Sequence, residues 1–385
     1  MAACRKPYAP PVIANNTNYL VVEGLINSGP DSTFFKLSRT VKLSSTTTQA
    51  PELNAIVTIE SNQGSTYTLQ ETGNGEYSSP PLNLDNTRQY RIRIKTTANE
   101  EYLSDFVVAK TTPGIDSISY KVQNDGVQFY VNSHDPQNNT RYYRWDFDET
   151  WRYTSLYQSY FKLENNYPVY RTNFLQAPDD IHDCYKTAQS QQVLLGSSAK
   201  LSQDVISMYP IDFISAASGK IASGYSILLR QYALTPDAYS YWQILKTNTE
   251  QLGTIFDAQP SQLQGNIHCV TVPSEPVIGF VSVSSITSKR IYIDHNDINL
   301  FVLDYFPPPD ADVCPLVAIK VEPVTTFQYR LDQAVGTGDS ILVEAEQPPG
   351  APAIIAYTYA PANCVDCRLK IPNGTNAKPV YWPNN

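Results

Sequence analysis

Apolar positions recur with a period of two along most of the chain, and that alternation predicts strands with one buried face. A first strand runs from Tyr19 to Ile26, and TFFKLSRTVKL alternates through Phe35, Leu37 and Val41. Ile56, Val57 and Ile59 open another strand, an NQGS turn follows, Tyr67 and Leu69 continue, and a GNG turn precedes Tyr77. In QYRIRIK, Tyr90, Ile92 and Ile94 take one face while Arg91, Arg93 and Lys95 take the other. Short strands joined by Gly/Asn turns over residues 19–113 predict a β-sandwich of immunoglobulin or transthyretin-like kind.

Pro113 and Gly114 interrupt the pattern and mark a domain boundary. A hairpin around Asn124, Asp125 and Gly126 follows, with Asp-Gly supplying the positive φ angles of a tight turn. In RYYRWDFDETWRY, Tyr143, Trp145 and Phe147 share one face, and Tyr142, Arg144, Asp146 and Asp148 share the other. A second, fibronectin-like sandwich therefore occupies 114–385, with an irregular insertion over 153–222 and a return to a buried strand over 223–234. One helix is expected over 236–252. Thr235 caps it, Pro236 suits its first position, and Ala238, Trp242, Leu245, Thr249 and Leu252 form one face that docks through Trp242 and Leu245. Two further strands follow in VIGFVSVSSITSKRIYIDH, with Thr287, Ser288 and Lys289 as the turn between them. The fold class is thus mostly β, two sandwiches with one docked helix.

The chain has 37 acidic against 28 basic residues, a net charge of -9, and no basic block. Nucleic acid is a poor candidate ligand. The chain carries 27 tyrosines against 13 phenylalanines, which suits a β-rich surface facing water. No run of about eighteen apolar residues offers a membrane-spanning helix. Cys4 follows two small residues and precedes a polar, proline-bearing arm, so residues 1–18 read as a lipidated tether on Cys4. Its rival is an ordinary exposed cysteine.

Candidate chemistry is sparse: no GxSxG, HExxH or phosphate-cradling glycine loop is present. Asp294, His295 and Asp297 could join His134 or His268 in acid–base work, but as neighbours at a strand end they read better as a polar exit. Asp146, Asp148 and Glu149 raise glycoside hydrolysis, although Asp146 and Asp148 share a solvent-facing strand side. The loops at Asp135–Asn139 and Asp257–Ser261 are oxygen-rich but lack calcium-loop spacing. No cofactor or metal is called for. Trp151, Tyr153, Tyr157 and Tyr160 offer an aromatic platform for a partner surface or a sugar ring. Cys184, Cys269, Cys314, Cys364 and Cys367 suit an oxidising compartment. The expected pairs are Cys184–Cys269 and Cys314 with either Cys364 or Cys367, the remaining one free or bridging copies. The competing arrangement is a local Cys364–Cys367 bridge, and CVDC is read as structural.

The chain also resembles a family of Bacteroidota outer-membrane lipoproteins, number 4249 among the domains of unknown function. The likeness runs through Cys4 with RKPYAP, LVVEGLI, NAIVTIESNQGSTYTL, TTPGIDSI, YYRWDF, YALTPDAYSYWQILKTNTEQLGTIFDAQPSQLQGNI, GFVSVSSITSKRIYI and CVDCRLKIPNGTNAKPVYW. The resemblance implies an outer-membrane, lipid-anchored protein at the cell surface. It also implies a non-enzymatic accessory that docks on an outer-membrane β-barrel protein such as a TonB-dependent transporter. A glycan- or peptide-binding surface lipoprotein and a hydrolase of unknown substrate are the alternatives. Proteins from that group resemble one another in O-glycosylation after Asp, which marks Ser32, Ser117 and Ser340.

Overall fold

The computed structural model describes residues 18–41, 50–173, 175–250, 264–294, 296–298 and 314–383. Cys4, His295, residues 251–252 of the expected helix and the Asp257–Ser261 loop lie outside them.

Two β-sandwiches are present. In the first, one sheet orders its strands Ile278–Gly279, Leu20–Asn27, Thr33–Arg39, Glu76–Ser79 and Gln70–Gly73. The facing sheet runs Ile267–Cys269, Glu101–Ser104, Gln89–Lys95, Ile56–Ser61 and Thr66–Thr68. Alternation places Tyr90, Ile92 and Ile94 in the core beside Leu20, Leu37, Val57, Ile59 and Tyr102. On the outer face Arg91 and Arg93 both bond Glu60, so the exposed positions carry cross-strand pairs.

The expected domain at 19–113 is incomplete by itself. Residues 264–284 return to it from the far side of the helix, setting Ile278–Gly279 and Val283–Ser284 parallel to the first strand and Ile267–Cys269 antiparallel to Glu101–Ser104. Ile267, Cys269, Val281 and Val283 join its core. Gly279 permits this threading: it has a φ of 142°, and a Cβ there would lie 2.3 Å from the Val22 carbonyl oxygen.

In the second sandwich, a sheet of Ile115–Gln123, Gly126–Asp135 and Asp204–Ser215 faces one ordered Asp183–Gln189, Tyr142–Thr154, Tyr225–Ala233 and Ile286–Ile293. Leu194–Ser197 extends beside Tyr142–Thr154. The expected hairpin forms with Gln123 opposite Gly126, but the glycine serves close approach rather than positive φ. A Cβ on Gly126 would meet the Ile214 carbonyl oxygen at 2.2 Å. Tyr143, Trp145 and Phe147 point inward as alternation predicts. The junction is pinned by buried Gln231, whose amide accepts from Trp145 Nε1 at 2.8 Å and donates to the Pro113 carbonyl at 2.9 Å.

Four expectations are corrected. The span 153–222 is not irregular: it holds the hairpin Phe161–Glu164 with Tyr167–Tyr170 and the strands Asp183–Gln189, Leu194–Ser197 and Asp204–Ser215. Thr287, Ser288 and Lys289 do not turn but lie inside a strand, opposite Gln231, Arg230 and Leu229. The helix is described over Pro236–Glu250 and buries Ala238 and Tyr241, while Trp242 and Leu245 are half-buried and Thr249 is exposed. A second helix, Val324–Val335, was not anticipated; it lays Phe327, Leu331 and Val335 on the sheet Val317–Lys320, Ala356–Pro361 and Ser340–Glu346.

That helix and sheet form a third, smaller unit, held by disulfides Cys184–Cys367 and Cys314–Cys364. The Cys314–Cys364 alternative is thereby realised. Cys184–Cys269 and Cys364–Cys367 are not, nor is a thiol left over in CVDC. Cys184 belongs to the second sandwich, whereas Cys269 is a buried free cysteine in the first. Each sits in a different core, and the fold keeps them apart.

Candidate functional site

The outer face of the strand Tyr142–Thr154 carries Arg144, Asp146 and Asp148. Cross-strand register places Arg230 opposite Asp146, and its guanidinium takes Asp146 at 2.5 Å and Asp148 at 2.7 and 2.9 Å. The carboxylates hold the Arg230 proton far above its usual range. Arg144 lies 4.2 Å over the Tyr232 ring and 4.5 Å over the Trp242 ring, with Asp146 at 3.5 Å. Arg144, Asp146, Arg230, Tyr232 and Trp242, together with Glu23 and the Gln189–Val193 segment, line a cleft of about 530 Å³.

Gln189–Gln192 also wall a second cleft of about 480 Å³, lined from the two facing sheets by Phe147, Glu149, Asp212 and Ile214. Glu149 forms its floor, accepting from Lys220 Nζ and from Tyr225 Oη at 3.1 Å. Burial, followed by the charge of Glu149, pushes the half-buried Asp212 carboxyl up to about 6, while Lys220 opposes the shift. Phe213 stands at the rim, 38% exposed. The loop between the clefts is fixed: Ser190 N–H donates to the Phe147 carbonyl at 2.8 Å, and Val193 N–H donates to Glu250 Oε1 at 2.6 Å.

The carboxylates of Asp146 and Asp148 are thus committed to Arg230, and they are not the solvated strand side that alternation suggested. Arg230, Asp212 and Lys220 escaped the sequence reading because only the strand register and the Gln189–Gln192 loop bring them to these residues. Glu149 points inward, on the opposite face from Asp148.

The expected aromatic platform does not form. Trp151 and Tyr153 are buried in the second core, Trp151 with Lys220 4.8 Å above its ring, because both fall on the inward side of the alternation. Tyr157 is half-buried and donates to the Cys314 carbonyl at 2.9 Å, and Tyr160 is half-buried with its amide on the Val343 carbonyl. Ser32 lies half-buried in a loop, Ser117 is exposed within a strand and receives Asn132 Nδ2 at 3.1 Å, and Ser340 begins a strand.

The histidine candidates lie on separate parts of the molecule. His134 bonds Asp116 at 2.8 Å, and His268 stands 3.5 Å from Asp105 on the first sandwich. Asp297 accepts the Asp294 amide at 3.0 Å, closing a polar strand exit as expected. Asp135 spends its carboxylate on the amides of Gln137, Asn139 and Thr140. Among the described residues no His, Cys, Asp and Glu side chains gather as a metal-binding group, and no helix is long and apolar enough to cross a membrane.

The chain belongs to the family described as Domain of unknown function (DUF4249), whose profile matches residues 5–290. No curated protein matches it. The disulfide-held third unit, with its sheet and helix over 317–361, lies beyond the matched span.

Proposed function

We propose that the chain is a non-enzymatic accessory lipoprotein, anchored to the outer membrane of a Bacteroidota cell through acylated Cys4, that docks on a larger β-barrel assembly. A TonB-dependent transporter is the partner that the family resemblance favours. The observation that carries the docking reading is the surface of the third unit and its hairpin. There Tyr167, Tyr170, Val324, Tyr329 and Ile355 are exposed, although the unit has its own packed core and two disulfides. Exposed large apolar side chains on a rigid support mark contact surfaces.

Isolation of the native protein in mild detergent tests the proposal. The expected result is a co-purifying β-barrel together with an acyl mass increment on the peptide bearing Cys4. A clean monomer under several growth conditions would overturn the docking reading, and an unmodified Cys4 would overturn the anchor.

A second reading, ligand binding at the surface, is supported by the paired clefts around Gln189–Gln192 and replaces the platform at Trp151, Tyr153, Tyr157 and Tyr160.

A further inference from the structure

We propose that the two clefts flanking the Gln189–Gln192 loop form one extended binding site for a neutral oligosaccharide. The proposal deepens the ligand-binding reading and is independent of docking through the third unit. The clefts share a single wall, the segment from Gln189 to Gln192, so a chain-like ligand crossing that loop would occupy both.

The chemistry of the lining selects the ligand. Gln189, Gln191 and Gln192 are exposed along the shared wall, and each amide offers a donor beside an acceptor. A pair of adjacent sugar hydroxyls meets such a group by accepting from its N–H and donating to its oxygen. Asp212 adds an acceptor and Lys220 a donor in the second cleft. The apolar face of a pyranose needs a flat partner, and exposed Phe213 supplies one at one end.

Charge argues against an anionic ligand, because Arg230 is already paired with Asp146 and Asp148 and Lys220 with Glu149, while Asp212 and Glu23 add carboxylates that accept from hydroxyl groups. An extended peptide would instead seek a free strand edge. Tyr142–Thr154 offers none, being covered by Asp183–Gln189 and Leu194–Ser197 on one side and by Tyr225–Ala233 on the other, so the edge strand Asp204–Ser215 beside the second cleft is where a peptide would compete. The amides of Ser190 and Val193 are also engaged.

The test applies the full chain to an array of neutral oligosaccharides, titrates the strongest binder calorimetrically, and repeats the titration with Phe213→Ala and with Gln191→Ala/Gln192→Ala. These side chains are exposed, so unfolding midpoints are expected to match the parent. Each variant should weaken binding about tenfold, the loss of one stacking face or one set of polar contacts. Absence of any binder on the array would overturn the proposal. So would affinity unchanged in both variants, or binding at these residues by an unstructured peptide pool in place of the sugars. Barrel co-purification, measured on the same variants, should persist, which separates failure of this site from failure of docking.

Discussion

At Asp212, burial and the charge of Glu149 both favour the neutral carboxyl, and Lys220 only partly offsets them. The folded state therefore holds this proton more tightly than the unfolded chain, whose carboxyl titrates near 3.8. The stability that Asp212 contributes is complete below that value and is lost as pH rises through about 6. Asp212→Asn should accordingly raise stability at pH 7 by about 1 kcal/mol once solvent screening is allowed for, and should flatten the pH dependence between the two values. Urea unfolding of both proteins at pH 4 and pH 7 measures this, and equal destabilisation of the variant at both would refute it. The cysteines pose a different residue-scale question, since their spacing left several pairings open and only the fold decides among them. Peptide mapping without reductant should recover Cys184 linked to Cys367 and Cys314 linked to Cys364, with Cys269 alkylated only after unfolding. The Cys184–Cys367 bridge spans 183 residues, so replacing both with Ser should cost about 3–5 kcal/mol, read as a shift in denaturation midpoint.

At the level of elements, legibility followed burial geometry. Gln89–Lys95 and Tyr142–Thr154 were readable because each buries one face, and side-chain period then reports orientation directly. Ile286–Ile293 was not, since Thr287, Ser288 and Lys289 are paired through their backbone to Tyr225–Ala233 and their polarity imitates a turn. The helix Val324–Val335 did leave a signal, Phe327, Leu331 and Val335 at four-residue spacing, but its flanks carry no side-chain N-cap. The clefts were less legible still: Asp146 and Asp148 stood out as carboxylates, whereas Arg230, which neutralises them, belongs to a strand distant in sequence. The helix Pro236–Glu250 offers the test at this scale. It is fixed through Tyr241, buried and 5.2 Å from the Phe280 ring, rather than through Trp242 and Leu245 alone. Tyr241→Ala should destabilise the protein by about 3 kcal/mol, as large-to-small changes at buried aromatics do. Thr249→Ala, on the exposed side, should stay within about 0.5 kcal/mol of the parent. Thermal unfolding of the pair distinguishes this packing from one centred elsewhere on the helix.

For the molecule as a whole, chain order and spatial order part company in the first sandwich. A boundary at Pro113 follows from the sequence because strand alternation stops there, yet residues 264–284 supply one edge to each sheet. Without them the first strand loses its parallel partners, Glu101–Ser104 loses Ile267–Cys269, and the core around Leu20, Val22 and Tyr102 opens to water. The ion-pair cluster at the end of this sandwich has the same dependence. Arg39 reaches Glu52 at 2.6 Å, Glu100 at 2.8 Å and Glu275 at 3.4 Å, and the last of these arrives with the returning segment. A fragment covering 18–113 should therefore fail to fold, because a unit of that size has little core to lose and two exposed strand edges invite association. Joining residues 264–285 to the same fragment through a short glycine-rich linker should restore a cooperative transition and dispersed amide resonances. If the shorter fragment unfolded cooperatively with the same midpoint as the longer one, the returning segment would be a passenger on the first sandwich rather than part of it. The reach of this segment also sets how the sandwiches are joined: Lys110 donates its amide to the Val283 carbonyl and accepts the Ser285 amide, so two of the three chain crossings between the sandwiches run side by side.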